Sequence, residues 1–215
     1  MDTNKAAEEL KIIRQLMERP IRYSSMSGLS GVLAGCITLC GLAADAAVYG
    51  AFGKTSLTTW INLGVWAMVF LLSLGGVLGL TRMRELRQGM PFWTPIKRRI
   101  LMTILPSFVA GAGLTAAIVY RWYFAIGPNQ FGLIPAIWML FYGVACWQVG
   151  EMSIRELRVM GAAFIVSGLL AAAFCQWAIP GVELSAGLAP YWTLGITFGG
   201  YHIIYGIVVR VRYGG

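Results

Sequence analysis

Residues able to carry chemistry are scarce in this chain. Its 215 residues include one histidine, four cysteines and nine acids, and charged residues of both signs make up 12%. A lone histidine excludes a bis-histidine haem. Cys36, Cys40, Cys146 and Cys175 all fall in apolar stretches without a histidine or acid cluster, so they read as small reduced hydrophobes and not as a disulfide or metal framework. No metal and no cofactor is expected. Soluble domains carry about 25% charged residues, so the shortage also excludes an ordinary soluble fold. Strand-like alternation is missing as well, which excludes a membrane barrel.

Apolar residues are abundant, at 58%. A bilayer core needs about 20 such residues per helix, and charge-poor stretches of that size run over 25–52, 57–80, 100–120, 131–150, 161–179 and 190–209. The expected fold is all-α: a polytopic six-helix transmembrane bundle over residues 23–215. Residues 1–22 precede it. Leu10, Ile13 and Met17, widened by Ala6, Ile12 and Leu16, form an apolar stripe that Pro20 ends, predicting an amphipathic interfacial helix on the cytoplasmic side.

The net charge of +8 resides in the connections. All the lysines and arginines except Lys54 and Arg121 fall on one side of a six-span topology, and positive residues are held back in the cytoplasm. Both termini are therefore expected in the cytoplasm, and the basic balance signals topology instead of nucleic-acid binding. Arg82, Arg84, Arg87, Lys97, Arg98 and Arg99 make the 81–99 connection the most basic surface, suited to anionic lipid headgroups. Within it, Gly89 and Pro91 should end one helix, and Thr94-Pro95 should cap and open the next. A protein partner is expected at residues 1–22 or at this loop. The pattern apolar-Arg-Glu-Leu-Arg occurs at Met83–Arg87 and again at Ile154–Arg158, each time leaving a span on the cytoplasmic side, as a duplicated hairpin would.

Ionisable residues within spans are functional suspects. His202 falls ~12 Å inside the cytoplasmic end of the sixth span, where a neutral imidazole hydrogen-bonded to a neighbouring helix accounts for it without function, and Tyr205, one turn on, could be its partner or share its polar pocket. Pro106 and Pro135 within spans three and four can kink them, so Pro106, Pro135, His202 and Tyr205 are the candidate cavity lining. Asp45 is expected near the outer interface, exposed to water, where it could join Lys54, Arg121 and Glu183 in a polar cluster. Small residues at four-residue spacing (Ser27, Gly31 and Gly35; Gly75 and Gly79; Gly195 and Gly199) predict close helix packing.

Gly28-Leu29-Ser30-Gly31 resembles the Gly-x-Ser-Gly motif of rhomboid intramembrane proteases, which makes Ser30 and His202 candidate catalytic residues at similar depth. The resemblance covers four residues and places the serine on span one instead of span four. A broader one rests on Met17-Glu18-Arg19, Ser27–Gly31, Lys97-Arg98-Arg99, Phe141-Tyr142-Gly143, Arg155–Arg158 and His202-Ile203-Ile204-Tyr205-Gly206. Together these resemble an uncharacterised family of bacterial six-span membrane proteins, implying the bacterial inner membrane but no activity. The leading expectation is a non-enzymatic scaffold, accessory subunit or membrane sensor. The alternatives are a channel or transporter for a small or apolar solute, then the serine protease.

Overall fold

The computed structural model describes residues 28–53, 55–89, 91–127, 130–174 and 189–213. The N-terminal segment 1–22 and residues Ser27, Lys54, Cys175 and Glu183 lie outside them. The described residues are helical and contain no strand. They form α1 (Gly28–Phe52), α2 (Ser56–Arg87), α3 (Pro95–Tyr123), α4 (Ile134–Gly150) and α5 (Arg155–Phe174). A sixth rod follows, running through α6 (Ala189–Leu194), a π-helical stretch Gly195–Tyr201 and α7 (His202–Tyr213). Six of these rods are long and apolar enough to cross a membrane, which makes the chain a multi-pass membrane bundle.

Local chemistry sets the helix ends. Gly53 takes φ +63°, a left-handed turn that costs glycine little, and Thr55 then caps α2 by accepting the Thr58 amide at 3.1 Å. At the other end α2 runs on to Arg87, as the polar sequence suggests, and Gly89 at φ +64° releases the chain. Thr94 caps α3 through the Lys97 amide at 3.4 Å, with Pro95 in the first turn. Pro135 is found differently from the sequence reading. It occupies the first turn of α4 behind the 3₁₀ turn Phe131–Leu133, where its missing N–H has no partner to lose, so it does not interrupt that helix. Pro106 does lie inside α3.

Backbones approach most closely in two places. Between α4 and α5, a Cβ on Gly143 would stand 2.8 Å from the Gly161 carbonyl oxygen, and one on Gly161 would stand 2.6 Å from the Trp147 amide. Between α1 and the sixth rod, a Cβ on Gly35 would meet the Gly199 carbonyl oxygen at 2.6 Å. Small residues here admit the facing helix itself. Gly75 and Gly79 differ: each has open space where a side chain would go, on a helix whose apolar surface faces outward. α2 meets α3 and α4 instead through large rings, with Trp60–Trp122 at 5.5 Å and Phe70 at 5.9 Å from both Phe108 and Trp138. The main core sits among α4, α5 and α7, around Met139 and Phe164, both 0% exposed.

The two apolar-Arg-Glu-Leu-Arg copies are not equivalent. Met83–Arg87 closes α2, whereas Arg155 opens α5, so the second copy enters a span where the sequence reading had it leaving one. Both glutamates nevertheless hold a cation from another helix. Glu85 pairs with Lys97 at 2.6 Å, and Glu156 pairs with Arg212 at 2.7 Å.

Candidate functional site

His202 begins α7 directly after the π-helical stretch, and its ring points into the main core. Its Nδ1 lies 2.7 Å from the Phe198 carbonyl oxygen and its Nε2 lies 2.6 Å from the Tyr142 hydroxyl. A carbonyl can only accept, so Nδ1 carries the proton. In the neutral ring Nε2 then accepts from the Tyr142 O–H. Phe198 stacks on the imidazole at 5.9 Å, and Phe164 and Tyr142 stand edge-on or tilted at 5.7 and 5.3 Å. Cys146, one turn after Tyr142, is buried in the same core. Nε2 thus bonds a neighbouring helix, as expected, through Tyr142 and not through Tyr205, which is also buried there.

The catalytic pair does not assemble. Ser30 is buried on α1, and the neighbouring Gly31 abuts the His202 carbonyl oxygen, so the expected similarity of depth holds. The imidazole turns the other way. Both of its nitrogens are engaged, toward α4 and toward its own backbone, so it cannot also serve Ser30 as a base.

Asp45 is not exposed to water as the sequence suggested; it is 1% exposed. The tight turn at Gly53 folds α2 straight back along α1 and lays Asn62 against Asp45. The Asn62 Nδ2 donates to Oδ1 at 2.6 Å. The other oxygen, Oδ2, and the Trp66 Nε1–H that faces this carboxyl are buried outside hydrogen-bond geometry. Trp66 stacks on Tyr191 of the sixth rod at 5.8 Å. Arg121 is exposed at the end of α3 and does not pair with Asp45, while Lys54 and Glu183 lie outside the described residues. Nothing in the sequence marked Tyr142, Asn62 or Trp66 as partners, because their contacts join residues 60 and 17 positions apart or cross between helices.

The basic connection is ordered around one lysine. Lys97 Nζ binds Glu85 at 2.6 Å and the Phe92 carbonyl oxygen at 2.8 Å, and it lies 5.5 Å from the Phe92 ring centroid. Arg82 reaches the same glutamate at 4.0 Å and the same ring at 5.2 Å. Beside this knot lies an open depression of about 480 Å³, lined by Trp93, Thr94, Pro95, Arg98, Arg99 and Met102. Among the described residues no group of three or more His, Cys, Asp or Glu side chains could hold a metal. Comparison with protein-family models, with curated proteins and with solved structures finds no match.

Proposed function

We propose that this chain is a non-enzymatic protein of the bacterial inner membrane, with both termini in the cytoplasm, serving as a scaffold, accessory subunit or sensor for a protein partner. The engagement of its described histidine and carboxyl groups by other residues of the chain carries this reading. His202 spends both ring nitrogens inside the core, and each described carboxyl has an intrachain partner: Asp45 with Asn62, Glu85 with Lys97, Glu151 with Arg158, and Glu156 with Arg212 and Tyr213. Groups held this way position helices and are not poised for acid-base work. The outward face of α2, with Leu71 and Leu78 each 59% exposed, leaves a long apolar surface for lipid or a partner span. Native mass spectrometry after gentle extraction tests the proposal. A partner protein in fixed ratio, lost on deletion of residues 1–19 or on neutralising the 81–99 loop, is the expected result. A solitary bundle under every extraction condition defeats it.

One observation favours the second reading, a channel or transporter for a small solute. Asp45 Oδ2, Trp66 Nε1 and Ser73 Oγ are buried without hydrogen bonds between the first two spans and their neighbours, and unpaired polar groups in a membrane interior mark solute pathways. That reading requires a small molecule retained on the purified protein and lost from Asp45→Asn.

A further inference from the structure

The geometry points to the depression at the start of α3 as a site for the phosphate headgroup of a single anionic phospholipid, held by Arg98 and Arg99. Fixed cations come first. Lys97 is consumed by Glu85 and the Phe92 carbonyl, which ties the loop down, while among the described residues no acid pairs with Arg98 or Arg99. Two guanidinium groups, adjacent in sequence, thus line one recess with the Thr94 cap between them and Trp93. Guanidinium is the cation whose planar fork matches phosphate oxygens two at a time. The Lys97 and Thr94 contacts hold the backbone beneath the recess, so binding has mainly the two exposed arginine side chains to order.

The surroundings select a lipid over a soluble anion. Pro95, Arg98, Arg99 and Met102 recur at three- and four-residue spacing on one helix face. Below them the exposed apolar residues Met102, Leu105 and Val109 continue down α3. A headgroup in the recess would therefore have its acyl chains beside an apolar strip. Trp93, 54% exposed at the recess wall, is the amphipathic residue suited to that level of the bilayer. The inference rests on the membrane bundle alone, so it stands or falls separately from the scaffold proposal.

The test uses the full chain in a neutral detergent micelle, where the diffuse potential of a charged bilayer is absent and only a site can discriminate. Native mass spectrometry would follow binding of dioleoylphosphatidylglycerol and of dioleoylphosphatidylcholine. One phosphatidylglycerol per chain is expected, with phosphatidylcholine weaker. R98Q/R99Q should weaken phosphatidylglycerol binding about thirtyfold through the lost charge-assisted hydrogen bonds, while R84Q/R87Q, which removes the same charge from the end of α2, should leave it within about threefold. R98K/R99K keeps the charge without the fork and should fall between them, which also secures the test if R98Q/R99Q does not fold. Equal binding of both lipids, or equal loss in both glutamine pairs, overturns the site. Occupancy by inorganic phosphate with the same arginine dependence, and no retained lipid, overturns the lipid assignment in favour of a soluble anion.

Discussion

A buried hydrogen bond in a membrane interior matters mainly through what its loss leaves behind. Tyr142→Phe removes the O–H that His202 Nε2 accepts and strands that nitrogen among Phe164, Phe198 and Tyr201. A buried polar atom left unsatisfied costs about 1–3 kcal/mol, so thermal unfolding in detergent should shift down by that amount. The double variant Tyr142→Phe/His202→Phe removes both polar partners and should cost less than Tyr142→Phe alone; the reverse order would show that the pair contributes more than mutual satisfaction. At the basic end, Glu85 is 1% exposed. Lys97→Met leaves that carboxylate without its closest cation and should destabilise by about 3 kcal/mol. The double variant Lys97→Met/Glu85→Met should recover part of the loss, as read by the same melts.

At the scale of elements, span existence and most boundaries are legible in the sequence because apolar length and capping chemistry are local. Thr94-Pro95 opens α3 and Gly89 follows α2, as their residue types dictate. α5 starts at Arg155, six residues before its apolar run, since charged residues extend a helix beyond the lipid without changing its pitch. Which helices touch is not local, and it decided every candidate site. Asp45 seemed exposed until α2 was known to fold against it, and a neighbouring helix was expected for His202 with nothing to say that it would be α4. Small-residue spacing had the same ambiguity. Gly161 has no small residue four positions away yet meets a facing backbone, whereas Gly75, spaced four from Gly79, meets none. Gly161→Leu should therefore cost about 1–3 kcal/mol through overpacking. Gly75→Leu should stay within about 0.5 kcal/mol, and a much larger loss would reveal a partner helix on that face.

For the whole molecule, the ends of the helices divide the charge. Arg82, Arg84, Arg87 and Lys97–Arg99 flank the α2–α3 turn, Arg155 and Arg158 open α5, and Arg210 and Arg212 close α7, while Arg121 lies at the far end of α3. If that distribution orients the bundle, a fluorescent protein fused after Gly215 should fluoresce in cells and alkaline phosphatase fused there should be inactive. Active phosphatase would invert the topology and move the basic recess to the other leaflet.

The π-helical stretch Gly195–Tyr201 makes the sixth rod a counting device. Such a stretch arises where a helix holds a residue more than regular winding allows. Removing Gly200, whose missing side chain has open space, would let the rod wind as an ordinary α-helix. Six residues wound at about 100° each sweep nearly the same angle as seven in the wider π winding, so the segments before and after the cut would keep their faces. The ring of His202 would stay on Tyr142, and the glycines before the cut would keep their seat on α1. In most of a helical bundle a small deletion belongs to a loop and is absorbed there; here a single residue deep in a span, held as a surplus by the wide turn, could be lost without turning either half of the helix away from its neighbours.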